Sequence, residues 1–217
     1  MKAIVMILFA AFILGFATPV SNFGEASAQG RENSRQKKEQ EPAPKPKDST
    51  AHRIPDATVY DQNGNKLKFY TDLVKGKTVA INFIFTTCTA ICPSLTATFR
   101  RVQQQLGDRV GHDVHLISVS VDPTTDVPER LKEYAAKFKA GPGWTFVTGD
   151  KGEIDSVLLA LGTAVANKND HTPMVLIGNE SAGNWSRAYG LSPPTRLVDL
   201  IKAAASKSVA TRTGEGS

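Results

Sequence analysis

The sequence predicts an α/β fold in which helices flank a central, mostly parallel β-sheet with an antiparallel edge hairpin. Short apolar runs alternate with longer helical patterns along the chain, which is the order of an α/β protein. The runs at 77–85 and 114–121 are apolar almost throughout, as strands buried on both faces are. Two later runs, 173–177 and 185–189, are joined by a polar turn and indicate the edge hairpin.

A further hairpin precedes the sheet. Residues 57–60 and 66–69 flank Asn63-Gly64, a strong hairpin signal, and they predict an N-terminal extension of the fold. The strand at 77–85 is followed by a helix that Pro93 opens, because proline is favoured in the first turn. The predicted buried face of this helix repeats at steps of four, three and four residues and consists of Leu95, Phe99, Val102 and Leu106.

Two more helices follow the next strands. Asp126, after the strand at 114–121, is the predicted N-cap of the second helix and begins a capping box. The inward residues of that helix are Leu131, Ala135 and Phe138. A third strand at 144–148 precedes Asp150, which repeats the capping pattern, and Gly162 is the natural stop of the third helix. The apolar residues of the third helix are Ile154, Val157, Leu158 and Leu161.

One globular domain accounts for residues 54–207 of the 217-residue chain. Its last helix is predicted to run to about Ala205. Residues 29–53 are polar and proline-bearing, and they predict a disordered linker. The tail at 208–217 is predicted to be disordered as well, and residues 1–28 form a separate targeting segment.

The targeting segment has the pattern of an export signal. Met1-Lys2 precedes an apolar run from Ala3 to Ala17, and Ala26-Ser27-Ala28 is a pattern that a signal peptidase accepts. A helix over the apolar run would reach roughly 22 Å, short of a hydrocarbon core of about 30 Å. Cleavage is therefore favoured, with an N-terminal membrane anchor as the alternative. The predicted location is exported, either periplasmic or anchored to the outer face of the inner membrane.

The positive charge of the chain lies mainly in the linker. The formal net charge is +5, and residues 29–53 hold seven Lys or Arg against four Asp or Glu. This distribution indicates a solvated tether that is drawn to an anionic membrane surface, and it argues against nucleic-acid binding.

Cys88 and Cys92 are the two cysteines of the chain. They follow the buried strand at 77–85, and Cys92, next to Pro93, is the predicted cap of the first helix, with Cys88 in the preceding loop. Amide groups and the positive end of a helix stabilise thiolates. A cysteine pair after the first long buried strand and at a helix N-terminus, in a chain of alternating strands and helices, predicts a thioredoxin-like fold.

Three uses of the pair are open from its spacing: a structural disulfide, a redox couple, or two ligands of a soft metal. His171 lies just before the strand at 173–177, in a loop that faces the pair in a thioredoxin-like sheet. It is either a third ligand or a solvated loop histidine. The three other histidines, which are weaker candidates by position, are His52, His112 and His115.

Three motifs in order resemble the Sco/SenC family of copper-binding thioredoxin-like proteins. They are a T-x-C-x-x-x-C-P motif at 86–93, an S-x-D-P-x-x-D-x-P segment at 120–128, and Asp170-His171. The resemblance covers roughly residues 54–205. It implies copper, as Cu(I) or Cu(II), bound by Cys88, Cys92 and His171. It also implies delivery of copper or reducing equivalents to the copper-site subunit of cytochrome c oxidase, or to another exported copper or thiol client.

The resemblance leaves the role of the protein open between two classes. The first is a metallochaperone, and the second is an enzyme, a thiol-disulfide oxidoreductase with Cys88 and Cys92 as catalytic residues. Thr172-Pro173 favours the second, because a proline at this point is typical of thioredoxin oxidoreductases. Asp122 and Asp126 belong to the family pattern and either shape the site and its docking surface or serve as a strand end and a helix cap.

Overall fold

The computed structural model of the protein describes residues 54–170 and 172–213, and side chains within these ranges up to residue 206. The predicted export signal at 1–28 and the predicted linker at 29–53 lie outside the described residues. None of the described helices is both long enough and apolar enough to span a membrane.

Within the described residues, seven strands form one sheet in the order β2-β1-β5-β4-β3-β6-β7. The strands are β1 (Thr58–Asp61), β2 (Lys66–Lys68), β3 (Thr78–Ile84), β4 (Val114–Ser120), β5 (Trp144–Thr148), β6 (Met174–Asn179) and β7 (Asn184–Tyr189). Parallel pairing joins β3 to β4 and β4 to β5. The hairpins β1-β2 and β6-β7 are antiparallel and lie at the two edges. The predicted hairpins are therefore present, and parallel pairing is confined to the centre.

In the part of the chain that the structure describes, four α-helices accompany this sheet: α1 (Ile91–Leu106), α2 (Pro128–Lys137), α3 (Lys151–Ala160) and α4 (Pro194–Thr213). A π-helical turn at Phe69–Val74 and two short 3₁₀ turns at Gly107–Arg109 and Lys168–Asp170 complete the described elements. Helix α3 stops where predicted, because Gly162 adopts a φ of 71° that other residues rarely tolerate.

The core has two halves, one on each face of the sheet. Alternate residues of β3 point to opposite faces, so that Ile84 packs with α1, α2 and α4 and Phe83 packs with α3 and the π-helical turn. The predicted faces are confirmed: Leu95 and Phe99 of α1 and Leu131 of α2 are all at most 1% exposed. This three-layer arrangement confirms the predicted thioredoxin-like fold class.

Two predicted caps are wrong, for local reasons. Helix α1 begins at Ile91 with Ala90 as its N-cap, so that Cys92 is its second residue and not its cap. Helix α2 has Val127, not Asp126, as its N-cap. Proline forces the residue before it into an extended conformation, and Val127, before Pro128, has a φ of −70° and a ψ of 161°.

Two other helix ends also differ from prediction. Asp150 does precede α3, but its side chain makes no capping hydrogen bond. The expected partner, Glu153, instead accepts the backbone N–H of Thr58 at 3.3 Å. Helix α4 continues to Thr213, past the end predicted near Ala205 and into the predicted tail. Its C-terminal part is alanine-rich, and residues 195–213 contain neither glycine nor proline, so that nothing in the sequence stops the helix before Gly214.

Candidate thiol and metal site

The site lies at the carboxyl ends of two parallel strands. Strands β3 and β4 end side by side, with Ile84 opposite Ser120. The backbone N–H of Val121 donates to the Ile84 carbonyl at 2.9 Å and extends this pairing beyond the strands. The two loops that follow, residues 85–90 and 121–127, are therefore neighbours at the carboxyl end of these central strands.

Cys88 lies in the first of these loops and is half-buried. Its backbone N–H donates to the Phe85 carbonyl at 3.1 Å, which closes a tight turn before the cysteine. Its sulfur accepts the backbone N–H of Cys92 at 3.4 Å. The sulfur thus satisfies one of the amide groups that the first turn of a helix leaves without a helical partner.

The pKa of Cys88 lies below its ordinary value. Burial acts to raise this pKa, but hydrogen bonds to the sulfur from the Cys92 thiol and from the N–H groups of Cys92, Ala90 and Ile91 outweigh burial. Donors that point at a sulfur stabilise its charged form. Cys88 is therefore the member of the pair that forms a thiolate more readily.

Cys92 has opposite surroundings, although it lies only four residues away. It is the second residue of α1, is fully buried, and belongs to the half of the core that contains Ile84 and Leu95. Burial, together with its hydrogen bond to Cys88, raises the pKa of Cys92 to about 12. Below it, the Thr96 hydroxyl donates to the Cys92 carbonyl at 2.8 Å and lies 2.9 Å from the Tyr134 hydroxyl.

Both thiols are free in the structure. The predicted juxtaposition of the two cysteines is present, with one sulfur half-exposed and the other covered. Two soft sulfur donors suit Cu(I), and the same two sulfurs suit exchange with another disulfide. Within the described residues, no group of three or more His, Cys, Asp or Glu side chains is placed to hold a metal.

A buried carboxylate lies under the Cys88 loop. Asp126 is 0% exposed. Its oxygens accept the Thr86 backbone N–H at 3.1 and 3.2 Å, the Thr86 hydroxyl at 2.5 Å, and the Ser120 hydroxyl at 2.7 Å. The carboxylate therefore joins the loop after β3 to the end of β4, a role that the sequence prediction of a helix cap missed.

An ion pair joins the second loop to the segment before His171. The Lys168 ammonium lies 2.5 Å from the Asp122 carboxylate and 5.2 Å from the centre of the Phe85 ring. Burial acts to raise the pKa of Asp122, but hydrogen bonds from Lys168 and from Thr124 and Thr125 lower it overall. The turn at 122–126 thus contacts both the loop of Cys88 and the segment at 163–170.

His171 itself lies outside the described residues. The strand that follows it begins beside β3, and the Pro173 carbonyl accepts the Gly190 N–H at 2.7 Å. His52 also lies outside the described residues. His112 is exposed in the turn before β4, and His115, the second residue of β4, is half-buried, so both lie at the amino end of that strand and away from the cysteines.

A cavity of about 840 Å³ opens beside the turn at 122–126. Its lining includes Asp122 and Lys168, and also the exposed apolar side chains of Leu159 and Val165. Leu159, on α3, and Val165, in the following loop, were not singled out from the sequence, since apolar residues outside the periodic buried face of a helix carry no signal of a shared surface.

Comparison with known proteins gives one family. The SCO1/SenC family model matches residues 47–206. A SCO1 protein homolog of Bacillus subtilis is 33% identical over 132 residues, which cover 60% of this chain and 67% of the relative.

Solved structures agree with this match. The structure of BsSco, a member of the Sco family of cytochrome c oxidase assembly proteins in which a disulfide switch was identified, has a TM-score of 0.60 at 28% identity, over 70% of this chain and 93% of that chain. Bradyrhizobium japonicum ScoI with copper bound has a TM-score of 0.56 at 25% identity, over 68% of this chain and 96% of that chain.

Proposed function

Since this chain belongs to the SCO1/SenC family, we propose that it is an exported copper metallochaperone for cytochrome c oxidase. Cys88, Cys92 and His171 hold the copper, and the copper-site subunit of the oxidase is the recipient. The observation that carries the proposal is the juxtaposition of two free thiols at a helix N-terminus, one of them half-exposed.

The donor set fits copper as cargo. Thiolates select soft Cu(I), and an imidazole also suits Cu(II), so that the predicted set serves both oxidation states. The N–H groups around Cys88 favour its charged form, the form that binds metal. The match to relatives that are named or solved as Sco proteins supports the same cargo.

The two sulfurs have different roles in transfer. Cys88 is accessible from solvent, so an incoming thiolate of the recipient replaces it first. Cys92 is covered by the core and holds the cargo until this exchange is complete. Transfer by successive ligand exchange avoids release of free copper, because at least one protein sulfur remains bound at each stage.

The location and the acceptor are part of the proposal. The export pattern at 1–28 supports a location outside the cytoplasm, either free in the periplasm or anchored to the outer face of the inner membrane. The family link to cytochrome c oxidase assembly supports the oxidase as acceptor.

The test of the ligand set is a copper titration of the reduced full chain. His171→Ala should weaken Cu(II) binding by more than the roughly 10- to 100-fold that is typical of removing a group that only supports a ligand. Cu(I) binding should change much less, because two thiolates still hold it. His112→Ala is the matched control, since His112 is exposed and lies at the other end of β4. Unchanged Cu(II) affinity in His171→Ala would remove the histidine from the ligand set.

The second candidate function is thiol-disulfide oxidoreductase, which the unequal thiols favour. The Cys88 thiolate attacks a client disulfide, forms a mixed disulfide and releases one client thiolate. The Cys92 thiol, as it loses its proton, then attacks the Cys88 sulfur. This step releases the second client thiol and leaves a Cys88–Cys92 disulfide, so that two electrons pass to the client.

A trapping experiment separates the two functions. Cys92→Ser should hold an exported client in a stable mixed disulfide through Cys88, and Cys88→Ser should hold none, because Cys92 is buried. Failure of Cys92→Ser to trap any client would count against the oxidoreductase and leave copper transfer as the function.

A further inference from the structure

Asp126 is a fully buried carboxylate without a cationic partner among the described residues. It is 0% exposed, and the ion pairs found in that part of the chain involve other acids. A buried carboxylate is unfavourable unless hydrogen bonds compensate for the lost water. Here all the compensation comes from neighbouring N–H and O–H groups.

Those donors come chiefly from one residue of the Cys88 loop. Thr86 contributes both its backbone N–H and its hydroxyl to Asp126. Ser120, the last residue of β4, contributes the remaining hydroxyl at 2.7 Å. The Ser120 oxygen in turn accepts the Asp122 N–H at 3.0 Å, which fixes the turn that carries Asp126.

The contacts hold one end of a short loop whose other end is the first turn of α1. Thr86 lies two residues before Cys88, and the Cys88 N–H bonds to Phe85 at 3.1 Å on the same side. On the other side, the Cys88 sulfur accepts the Cys92 N–H. With both ends held, the loop keeps the Cys88 sulfur beside the Cys92 thiol.

We propose that Asp126 is a positioning residue for Cys88. Asp126 acts through Thr86 and holds the loop at 85–90 in the conformation that brings the two sulfurs together. Asp126 does not contact either sulfur in this role. Its carboxylate fixes the backbone from which Cys88 projects, and Ser120 orients the carboxylate.

The consequence is measurable without copper. In exchange with glutathione, the two protein thiols form the Cys88–Cys92 disulfide while one oxidised glutathione is reduced to two glutathione thiols. The equilibrium constant of this reaction depends on how closely the fold holds the two sulfurs, which is an effective concentration. A loop released from Asp126 holds Cys88 less closely, so that its disulfide is less favoured.

The decisive variants are Asp126→Asn and Thr86→Val in the full chain. Each should lower the equilibrium constant for disulfide formation about tenfold, in the lower part of the range for loss of a group that orients a ligand. For this two-electron couple, a tenfold change raises the midpoint potential by about 30 mV. Should Asp126→Asn fail to fold, Thr86→Val decides alone, since it keeps the backbone N–H bond and the side-chain volume.

Two controls lie in the same loop. Thr87→Val is the same substitution on the next residue, which is exposed and makes no hydrogen bond to Asp126. Thr86→Ser keeps the hydroxyl and should restore the wild-type value. Both should stay within twofold of the wild-type equilibrium constant.

A third control separates positioning from general stability. Ser118 lies on β4, two residues before Ser120, and is equally buried. Its hydroxyl donates to Asn82 at 2.6 Å and accepts the Trp144 indole N–H at 2.9 Å, so its loss also removes a buried network. Ser118→Ala should lower the melting temperature and leave the glutathione equilibrium unchanged, because its network does not reach the Cys88 loop.

The inference concerns the thiol pair of the proposed function, but the test uses metal-free protein. It is overturned if folded Thr86→Val stays within twofold of wild type, or if Thr87→Val or Ser118→Ala changes the constant as much as Thr86→Val does. If the wild type did not bind copper, the proposed function would be contradicted, and the result of the glutathione equilibrium would still stand.

Discussion

The loop that carries Cys88 and the first turn of α1 that carries Cys92 are consecutive in the chain and differ in almost every physical property. The loop is held by polar contacts from Thr86 to Asp126 and is partly open to solvent. The first turn buries Cys92 in the apolar core. One short motif therefore supplies two unlike sulfurs, one half-exposed and one buried.

The difference also separates what stabilises the site from what makes it reactive. Removal of core packing under the helix should affect folding first. Removal of polar contacts at the loop should affect Cys88 first.

Leu95→Ala should show that the first turn of α1 belongs to the core. Leu95 is 1% exposed and lies three residues after Cys92, and a buried leucine truncated to alanine typically costs about 2–5 kcal/mol. Denaturant unfolding should report a loss in this range. Thr87→Ala, on the exposed loop, should stay within about 0.5 kcal/mol. Equal losses at the two positions would mean that the loop and the helix turn are not distinct regions.

Alkylation at pH 7 should label Cys88 far faster than Cys92. A pKa of about 12 for Cys92 against one lowered from the ordinary value of 9.0 for Cys88 favours the Cys88 thiolate by about 10³ or more. The higher intrinsic nucleophilicity of the more basic thiolate offsets about 30-fold of this. At least about 30-fold selectivity should remain, before burial of Cys92 is considered. Mass spectrometry of partly labelled protein measures it, and equal labelling would contradict the assignment of roles.

Tyr134→Phe should destabilise the protein modestly without changing Cys88. Because the Thr96 hydroxyl donates to the Cys92 carbonyl, the Tyr134 hydroxyl is the donor in their 2.9 Å contact. Its loss should cost about 0.5–1.5 kcal/mol, the usual net value of one hydrogen bond. The alkylation rate of Cys88 should change less than twofold. A larger change in that rate would show that the core below Cys92 also controls the loop.

Lys168→Met should have the smallest effect, and it should depend on pH. A partly exposed ion pair contributes about 0–1 kcal/mol at neutral pH. Because the pKa of Asp122 is lowered in the folded state, this stabilisation is present above the unfolded carboxyl pKa of about 3.9 and is lost as pH falls through the lower folded value.

The difference in unfolding free energy between wild type and Lys168→Met should therefore shrink below about pH 4. Lys151→Met is the matched control, since it breaks a more exposed pair of the same length, 2.5 Å, with Asp155. A difference that grows on acidification would contradict the role of the Asp122–Lys168 pair.

The fold was largely predictable because its signals are local. Apolar runs gave the buried strands, and the spacing of Leu95 and Phe99 gave the packed face of α1. The error at Asp126 was avoidable in part, because Pro128 restricts Val127 and so moves the cap.

The polar contacts of the site were not predictable in the same way. Thr86 and Asp126 lie 40 residues apart in the chain, and loop residues of these types usually face solvent. Their pairing arises only when the parallel strands β3 and β4 bring the loops that follow them together at the carboxyl end of the sheet. The same long-range placement is what unites Asp122 with Lys168, 46 residues away. The ligand role of His171 stays a prediction.

Titration of the reduced full chain with Cu(I) under competition by a chelator tests most directly whether the two unlike sulfurs form one copper site. The wild type should bind one Cu(I) per chain, and Cys88→Ser and Cys92→Ser should each lose this binding, although only Cys88 is readily alkylated. Retention of wild-type stoichiometry and affinity in the double variant Cys88→Ser/Cys92→Ser would contradict the site.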